Sequence, residues 1–245
     1  MMRGSAAILS VTSVLVPLTA QNEATVEKAK AVDSKHEKSE PKVLKLGAKV
    51  GGDIVLNDID GKAWKTAGLP GHLTVVTFWS ITCPIMAGWE GTLSKIQTDY
   101  ADKGVDFVII NSNEGNGEIG DREPAGDAAA YQKIRDHLKK KHLPYRVLPD
   151  HQSLVAERFG ALTTPDVFVF NKDAELVYRG LIDDDLRGDK GETATHYLRD
   201  VLDTLLLGKF VRPSETKPHG CGIKKPRQSR GAQPTRAKKV DKVDR

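Results

Sequence analysis

The chain has 245 residues, of which 39% are hydrophobic, and a formal net charge of +4. This length suits one domain with tails or two small domains, and a total of two cysteines excludes a small fold held by several disulfides. The positive charge lies in residues 216–245, where ten Lys/Arg against two Asp leave the rest of the chain at −4. Basic charge confined to a tail gives no ground for predicting nucleic-acid binding.

The first twenty residues have the features of a secretory signal peptide. Met1–Arg3 is a short basic start, Ala6–Leu18 is an apolar run, and Ala20 is a small residue suited to cleavage. The run is too short for a membrane span, and a first buried strand or helix is the alternative. We therefore predict a signal peptide over 1–20, a flexible charged linker over 21–44, and a periplasmic or secreted location, where disulfides persist.

Strands and helices alternate from residue 45 onwards. Predicted strands cover 73–79, 105–113 and 145–150, with hairpins over 54–64 and 166–180; predicted helices follow Cys83 and cover 128–142, 153–160 and 195–209. This β-β-α-β-α-β-α-β-β-α order predicts an α/β fold with a mixed central sheet between helices. The predicted domain covers 45–211, and 212–245 form a basic, largely disordered or loosely docked tail that carries Cys221.

Cys83 stands where a buried strand meets a helix, in the segment FWSITCPIMAGW. A helix N-terminus stabilises a thiolate through its partial positive charge and free N–H groups, and Pro84 suits the first helical position. The pattern favours a reactive thiol over a buried structural cysteine. Further on, a cis bond between Thr164 and Pro165 would leave a strand edge beside this sulfur where an extended substrate could pair.

The motifs Phe-Trp-x-x-x-Cys-Pro and Thr-Pro-x-x-Phe-Val-Phe resemble those of the thioredoxin-like superfamily. Over about residues 45–210 the chain is most similar to exported redoxins, which join thiol-disulfide oxidoreductases of the TlpA and ResA type to AhpC/TSA peroxiredoxins. Gly-Cys-x-Ile-Lys at 220–224 looks like part of one subgroup with a Cys-Pro-Ile motif. The resemblance implies that Cys83 is the nucleophile and Pro165 the cis-proline. It also implies a substrate surface that includes Trp79, Pro84 and Thr164.

The resemblance further implies thiol chemistry on a disulfide or a peroxide, with no organic cofactor and an external thiol as electron donor. Met86 replaces the second cysteine of the CxxC motif, so a dithiol cycle within the motif is impossible. Cys221 is the candidate for the missing sulfur, as a resolving cysteine on a mobile arm. A permanent Cys83–Cys221 structural disulfide, an intermolecular bridge and two separate thiols remain open at this stage.

The peroxiredoxin pattern is only half met. Ser80 stands three residues before Cys83, where its hydroxyl could hydrogen-bond a peroxide oxygen, but Val76 occupies the place of an expected proline. Arg158 or Arg179 is the candidate guanidinium that would polarise a peroxide. Peroxide and disulfide substrates therefore both remain open.

Further hypotheses concern other groups. A Cu(I) assembly factor would use soft ligands, namely Cys83, Met86, His219 and Cys221; a redox-inactive binding module is a further alternative. Ile182–Asp185 is interpreted as a hairpin-end cap rather than a metal site, and the segment NSNEGNGE at the carboxyl end of the second buried strand could line the site through Asn111, Asn113 and Glu114. The basic tail could contact an anionic envelope surface.

Overall fold

In a computed structural model of the protein, the described residues are 43–120, 131–212 and 214–226, all within the unit spanning residues 39–245. The predicted signal peptide, almost all of the predicted linker and residues 227–245 of the predicted tail lie outside these ranges. Within them, no helix is both long and apolar enough to cross a membrane.

The elements follow the predicted order, with the hairpin over 54–64 counted as two strands and with three additional two-residue strands. In chain order they are β1 (Val55–Asn57), β2 (Ala63–Lys65), β3 (Leu73–Phe78), α1 (Pro84–Ala101), β4 (Val105–Asn111), α2 (Gln132–Lys141), β5 (Val147–Pro149), α3 (Leu154–Phe159), β6 (Thr163–Thr164), β7 (Asp166–Phe170), β8 (Leu176–Gly180), α4 (Tyr197–Leu206), β9 (Ser214–Glu215) and β10 (Cys221–Gly222). The additional strands are β6, β9 and β10. Each is too short to show alternation in sequence.

The central sheet has six strands in the order β5-β4-β3-β7-β8-β9. Strand β3 runs parallel to β4 and antiparallel to β7, so the sheet is mixed, as predicted. The remaining strands form two separate pairs, β1 with β2 and β6 with β10. Strand β3 therefore lies in the middle of the sheet, and its carboxyl end leads directly to Cys83.

The core lies on both faces of this sheet because successive side chains of a strand point to opposite faces. Val75 packs in one apolar cluster and Val76 in the other. The first cluster is covered by α1, α2 and α4, and the second by α3. Each fully buried large apolar side chain contributes about 1.5–3 kcal/mol, so the strand ends beside Cys83 are firmly positioned. The predicted helical cover on both faces is confirmed.

The C-terminal segment differs from the predicted disordered tail. Residues 214–226, hereafter the C-terminal strap, run along the domain: β9 lies parallel to β8, and β10 lies antiparallel to β6. The physical reason is that β8, at one edge of the central sheet, and the short strand β6 both offer free backbone groups, which a polar segment without any apolar periodicity can still pair with. The prediction of loose packing is therefore wrong for residues 214–226.

Candidate active site

Cys83 is the N-cap residue of α1. Its backbone is extended (φ −84°, ψ 114°), Pro84 takes the first helical position, and the Met86 amide donates a hydrogen bond to the Cys83 sulfur at 3.3 Å. One of the free N–H groups of the helix end is thus directed at the sulfur, an arrangement that stabilises a thiolate. The side chain is 2% exposed. Pro84, in contrast, is exposed at the rim of the site.

Thr164 and Pro165 face this sulfur across a cis peptide bond, as the sequence predicted. The carbonyl oxygen of Thr164 lies 3.0 Å from the Cys83 sulfur, so the reduced thiol can donate a hydrogen bond to it. Strand β10 pairs with β6 at the same place, with Cys221 opposite Thr164. Cys83 and Cys221 form a disulfide across 138 residues of sequence, with their Cα atoms 5.8 Å apart. The alternative of two separate thiols does not describe this state.

A buried carboxylate, Glu118, holds the loop that leads from β3 to Cys83. Its side chain accepts hydrogen bonds from the hydroxyls of Ser80 and Thr82, both at 2.6 Å, and from the backbone N–H of Ile81 at 3.0 Å. Asn111 adds an amide donor at 2.7 Å. Glu118 is 3% exposed, so each of these bonds forms where the local dielectric is low and an unpaired group is expensive. The sequence analysis did not single out Glu118.

Ser80 therefore has a positioning partner in this state. Its hydroxyl donates to Glu118, so in this state the hydroxyl hydrogen is not available to a peroxide. Trp79 is also enclosed: its side chain is fully buried, and its indole N–H donates to Glu90 at 3.1 Å. Trp79 lies beneath the site rather than on a surface that a substrate could reach. Burial, aided by the nearby Glu90, raises the pKa of the adjacent Tyr145 hydroxyl.

The polar loop after β4 contributes Asn113 as well as Asn111 to this region. The Asn113 amide donates to the backbone oxygen of Trp79 at 3.2 Å, and its own oxygen accepts the backbone N–H of Lys224 at 3.0 Å. Asn113 thus joins the Cys83 loop to the C-terminal strap. Glu114 does not take part; its carboxylate instead accepts the backbone N–H of Gln152.

Asp166, which directly follows Pro165, is a second buried carboxylate that sequence analysis missed. It is fully buried, and no hydrogen bond of ordinary geometry reaches either side-chain oxygen from the described residues. Burial raises the pKa of this carboxyl to about 7, while the Arg179 guanidinium 3.8 Å away and the Leu162 amide offset part of the effect. An acidic residue within the apolar run 165–170 was the signal that could have found it.

Several predicted candidates are engaged with other partners. Arg158 pairs with Asp53 on the surface, and Arg179 lies over the ring of Phe168. Two carboxylates of the acidic cluster at 182–185 accept hydrogen bonds from nearby backbone amides. Asp184 accepts the N–H of Thr195, and Asp185 accepts the N–H groups of Asp189 and Lys190. These bonds fit the interpretation of a hairpin-end cap.

The copper hypothesis finds little support in the geometry. Met86 is fully buried and packed in the first apolar cluster, while His219 is exposed on the strap. Cys83 and Cys221 are bonded to each other, so neither is a free thiolate ligand in this state. Within the described ranges, no group of three or more His, Cys, Asp or Glu side chains is arranged to hold a metal ion.

A cysteine at the start of the helix after a central strand, facing a cis-proline, defines a thioredoxin-like protein. The sequence pattern of the redoxin family matches residues 45–195, more than half of the chain. The chain therefore belongs to the redoxin family.

The chain is similar to two solved structures and to one thiol-disulfide oxidoreductase. A hypothetical protein from Sinorhizobium meliloti 1021 has a solved structure with 30% identity and a TM-score of 0.62, covering 76% of this chain and 98% of that one. The solved structure of an uncharacterized conserved protein from Geobacillus kaustophilus has 28% identity and a TM-score of 0.63, covering 76% of this chain and 95% of that one. The thiol-disulfide oxidoreductase ResA of Halalkalibacterium halodurans is 20% identical over 125 residues, 51% of this chain and 62% of that protein. The ResA match thus spans less than two thirds of its length.

Proposed function

We propose that the protein is an exported thiol-disulfide oxidoreductase in which Cys83 is the nucleophile and Cys221 the resolving cysteine. The observation that carries the proposal is the disulfide between these residues at the N-terminus of α1, beside cis-Pro165. Membership of the redoxin family and the similarity to ResA support the same chemistry. Export is supported by the signal-like pattern of residues 1–20, which are not among the described residues.

The proposed oxidation of the protein has two exchange steps. The Cys83 thiolate, stabilised by the Met86 N–H, attacks one sulfur of a substrate disulfide; a Cys83–substrate bond forms, and the other substrate sulfur leaves as a thiolate. The Cys221 thiolate then attacks the Cys83 sulfur and releases the second substrate thiolate. Two electrons pass from the protein to the substrate. An external dithiol regenerates the reduced pair.

A disulfide is better supported as the substrate than a hydroperoxide. The Ser80 hydroxyl donates to Glu118, Arg158 is paired with Asp53, and Arg179 lies over Phe168. The groups that would orient and polarise a peroxide are thus engaged elsewhere. The antioxidant role implied by the peroxiredoxin resemblance, and the contact of the basic tail with an anionic envelope surface, remain predictions.

The test is a trapping experiment on the reduced protein. We expect Cys221→Ser to stop after one exchange and to accumulate a mixed disulfide on Cys83, visible by mass spectrometry, whereas wild type returns to the Cys83–Cys221 disulfide. Cys83→Ser is the matched control and should trap nothing through residue 83. Turnover by Cys221→Ser at the wild-type rate would contradict the resolving role. Faster consumption of hydrogen peroxide than of a disulfide would make the protein a peroxidase instead.

A further inference from the structure

We propose that the C-terminal strap stays docked on β6 in the reduced protein, so that Cys83 exchanges with low-molecular-mass disulfides and not with extended polypeptide disulfides. This inference rests on the proposed function and names its substrate class. It depends on two features of the strap: contacts that involve no sulfur, and a path along the strand edge that a polypeptide would need.

The first sulfur-free anchor lies at the start of the strap, on strand β8. The Thr216 N–H donates to the backbone oxygen of Arg179 at 3.0 Å, and the Leu181 N–H donates to the Thr216 hydroxyl oxygen at 2.8 Å. The Tyr178 hydroxyl lies 2.9 Å from the same Thr216 oxygen. Because none of these bonds depends on Cys221, this end remains attached when the disulfide is reduced.

The second anchor lies beyond Cys221. The Ile223 N–H donates to the Leu162 oxygen at 3.0 Å, and the Gly115 N–H donates to the Lys224 oxygen at 2.7 Å. The Ile223 side chain packs against the second apolar cluster. Anchors on both sides of Cys221 keep its thiol beside Cys83, which gives the resolving step a high effective concentration.

Glycines fit the strap to the domain at three separate places. A Cβ on Gly115 would lie 2.1 Å from the Lys225 oxygen, and one on Gly220 would lie 2.1 Å from the Thr164 oxygen. A Cβ on Gly180, which like Gly115 belongs to the domain, would overlap Thr216 of the strap. Contacts this close at three positions indicate a packed interface along the strap rather than a segment held only by its disulfide.

The strap pairs along the edge that an extended substrate would use. A polypeptide bound by strand addition needs the backbone groups of β6 beside Pro165, and in the described structure β10 pairs with this edge at Thr163 and Thr164. Cys83 itself is 2% exposed, but its neighbours Thr82, Pro84 and Gly222 are exposed, so a small reagent at this rim has only the immediate cover of the sulfur to displace. A small disulfide needs access to the sulfur alone, so the docked strap excludes only the larger substrate class.

The kinetic test uses two reagents with the same leaving group. One is the mixed disulfide of cysteine with nitrothiobenzoate; the other is a ten-residue extended peptide whose single cysteine carries the same group. For reduced wild type we expect the small reagent to release nitrothiobenzoate at least roughly tenfold faster, because the peptide cannot pair with β6. The ratio of the two rates, measured with the same protein unfolded in urea, gives the intrinsic reactivity of the two reagents. Equal rates for the folded protein, after this correction, would overturn the proposal.

Loosened variants sharpen the kinetic test. Thr216→Val combined with Ile223→Ser weakens both anchors while leaving both cysteines in place, and should raise the peptide rate towards the rate of the small reagent. Gly115→Ala is a second, independent way to lift the strap. Gly91→Ala on α1, where a Cβ would meet no atom within 4 Å, is the matched control and should keep the wild-type ratio. An unchanged ratio in both loosened variants would contradict the proposal.

Hydrogen exchange separates this inference from the proposed function. We expect the amides of Thr216 and Ile223 to stay protected in reduced wild type and in Cys83→Ser, where the disulfide cannot form. Loss of protection on reduction would overturn the docked strap whatever the activity. If protection persists but reduced Cys83 reacts with neither reagent, the proposed function fails, and with it the substrate class, while the docked strap stands.

Discussion

The two cysteines of the site are held by opposite means. Cys83 ends a loop that is fixed from inside by the buried Glu118 carboxylate, which accepts hydrogen bonds from Ser80, Ile81 and Thr82. Cys221 lies on a surface strap that is fixed mainly by backbone pairing and by close fit at glycines. The loop therefore depends on one acidic side chain, whereas the strap depends on backbone pairing and on close packing at glycines. This difference predicts that the same kind of substitution affects the two regions very differently.

The largest loss of stability is expected from a change in the loop before Cys83. Glu118→Gln should lower the free energy of unfolding of the reduced protein by about 3 kcal/mol, because a carboxamide cannot accept from all the buried donors and leaves some unpaired. Urea unfolding measures this change. Glu192→Gln on an exposed short helix is the control and should stay within about 0.5 kcal/mol of wild type. Equal losses of stability in the two variants would show that Glu118 does not hold the loop.

Asp166 tests whether every buried carboxylate near the site acts as Glu118 does. Its pKa is raised from 3.8 to about 7, so the folded state prefers the protonated form. The group therefore destabilises the fold increasingly as pH rises from about 4 to about 7. Asp166→Asn should be more stable than wild type by about 4 kcal/mol at pH 8, since each pKa unit between 3.8 and about 7 corresponds to about 1.4 kcal/mol, with little difference near pH 4.

Thermal unfolding at the two pH values measures the effect of Asp166→Asn. The comparison is between variant and wild type at each pH, so that other titrating groups, including His196, whose pKa is raised by Asp183, cancel. A stability difference that is the same at pH 4 and pH 8 would contradict the assignment.

The fit of the strap gives a smaller effect, read from disulfide formation. Gly220→Ala should lower the equilibrium constant for closing the Cys83–Cys221 disulfide in a glutathione buffer roughly tenfold, because the new Cβ displaces the strap from the Thr164 oxygen and reduces the effective concentration of Cys221. Gly222→Ala on the same strap is the matched control, since its Cβ would lie 3.9 Å from the nearest atom, the Leu162 oxygen. Equal constants for the two variants would show that close fit does not hold the strap.

The smallest effect is expected from the charge on the strap. Lys225 pairs with Glu157 at 2.9 Å, but both side chains are well exposed, and such pairs contribute little in water. Lys225→Ala should change the unfolding free energy of the reduced protein by less than about 0.5 kcal/mol. Ile223→Ser should lower it by about 1 kcal/mol through lost apolar burial. A larger loss of stability in Lys225→Ala than in Ile223→Ser would mean that the ion pair, rather than packing, holds the strap.

The sequence predicted the parts of the molecule that depend on local pattern. Apolar runs predicted the buried strands, and Cys83 followed by Pro84 predicted the helix start that the structure contains. The cis bond before Pro165 was predicted as well. Glu118 was missed because it lies in a Gly- and Asn-rich loop without periodicity, and its partners in the loop before Cys83 are 36 to 38 residues away in the chain.

The strap was missed for a related reason. Its strands β9 and β10 have two residues each, too few to show alternation, and their partners lie in β8 and β6, far away in the sequence. Its lysines and prolines resemble a disordered tail by composition. Its close fit requires the absence of side chains at Gly115, Gly180 and Gly220, and a sequence pattern does not reveal which glycines lie against a distant segment of backbone.

Those three glycines have a further use, in comparing related chains. A protein of this fold that carries a side chain at any of the three positions cannot bear a strap along the same path without shifting its backbone. One that has all three, together with a cysteine in the place of Cys221, can. The trio is therefore a fingerprint for sorting redoxins without a second cysteine in the helix motif into those that carry their own resolving sulfur and those that must obtain it from another molecule.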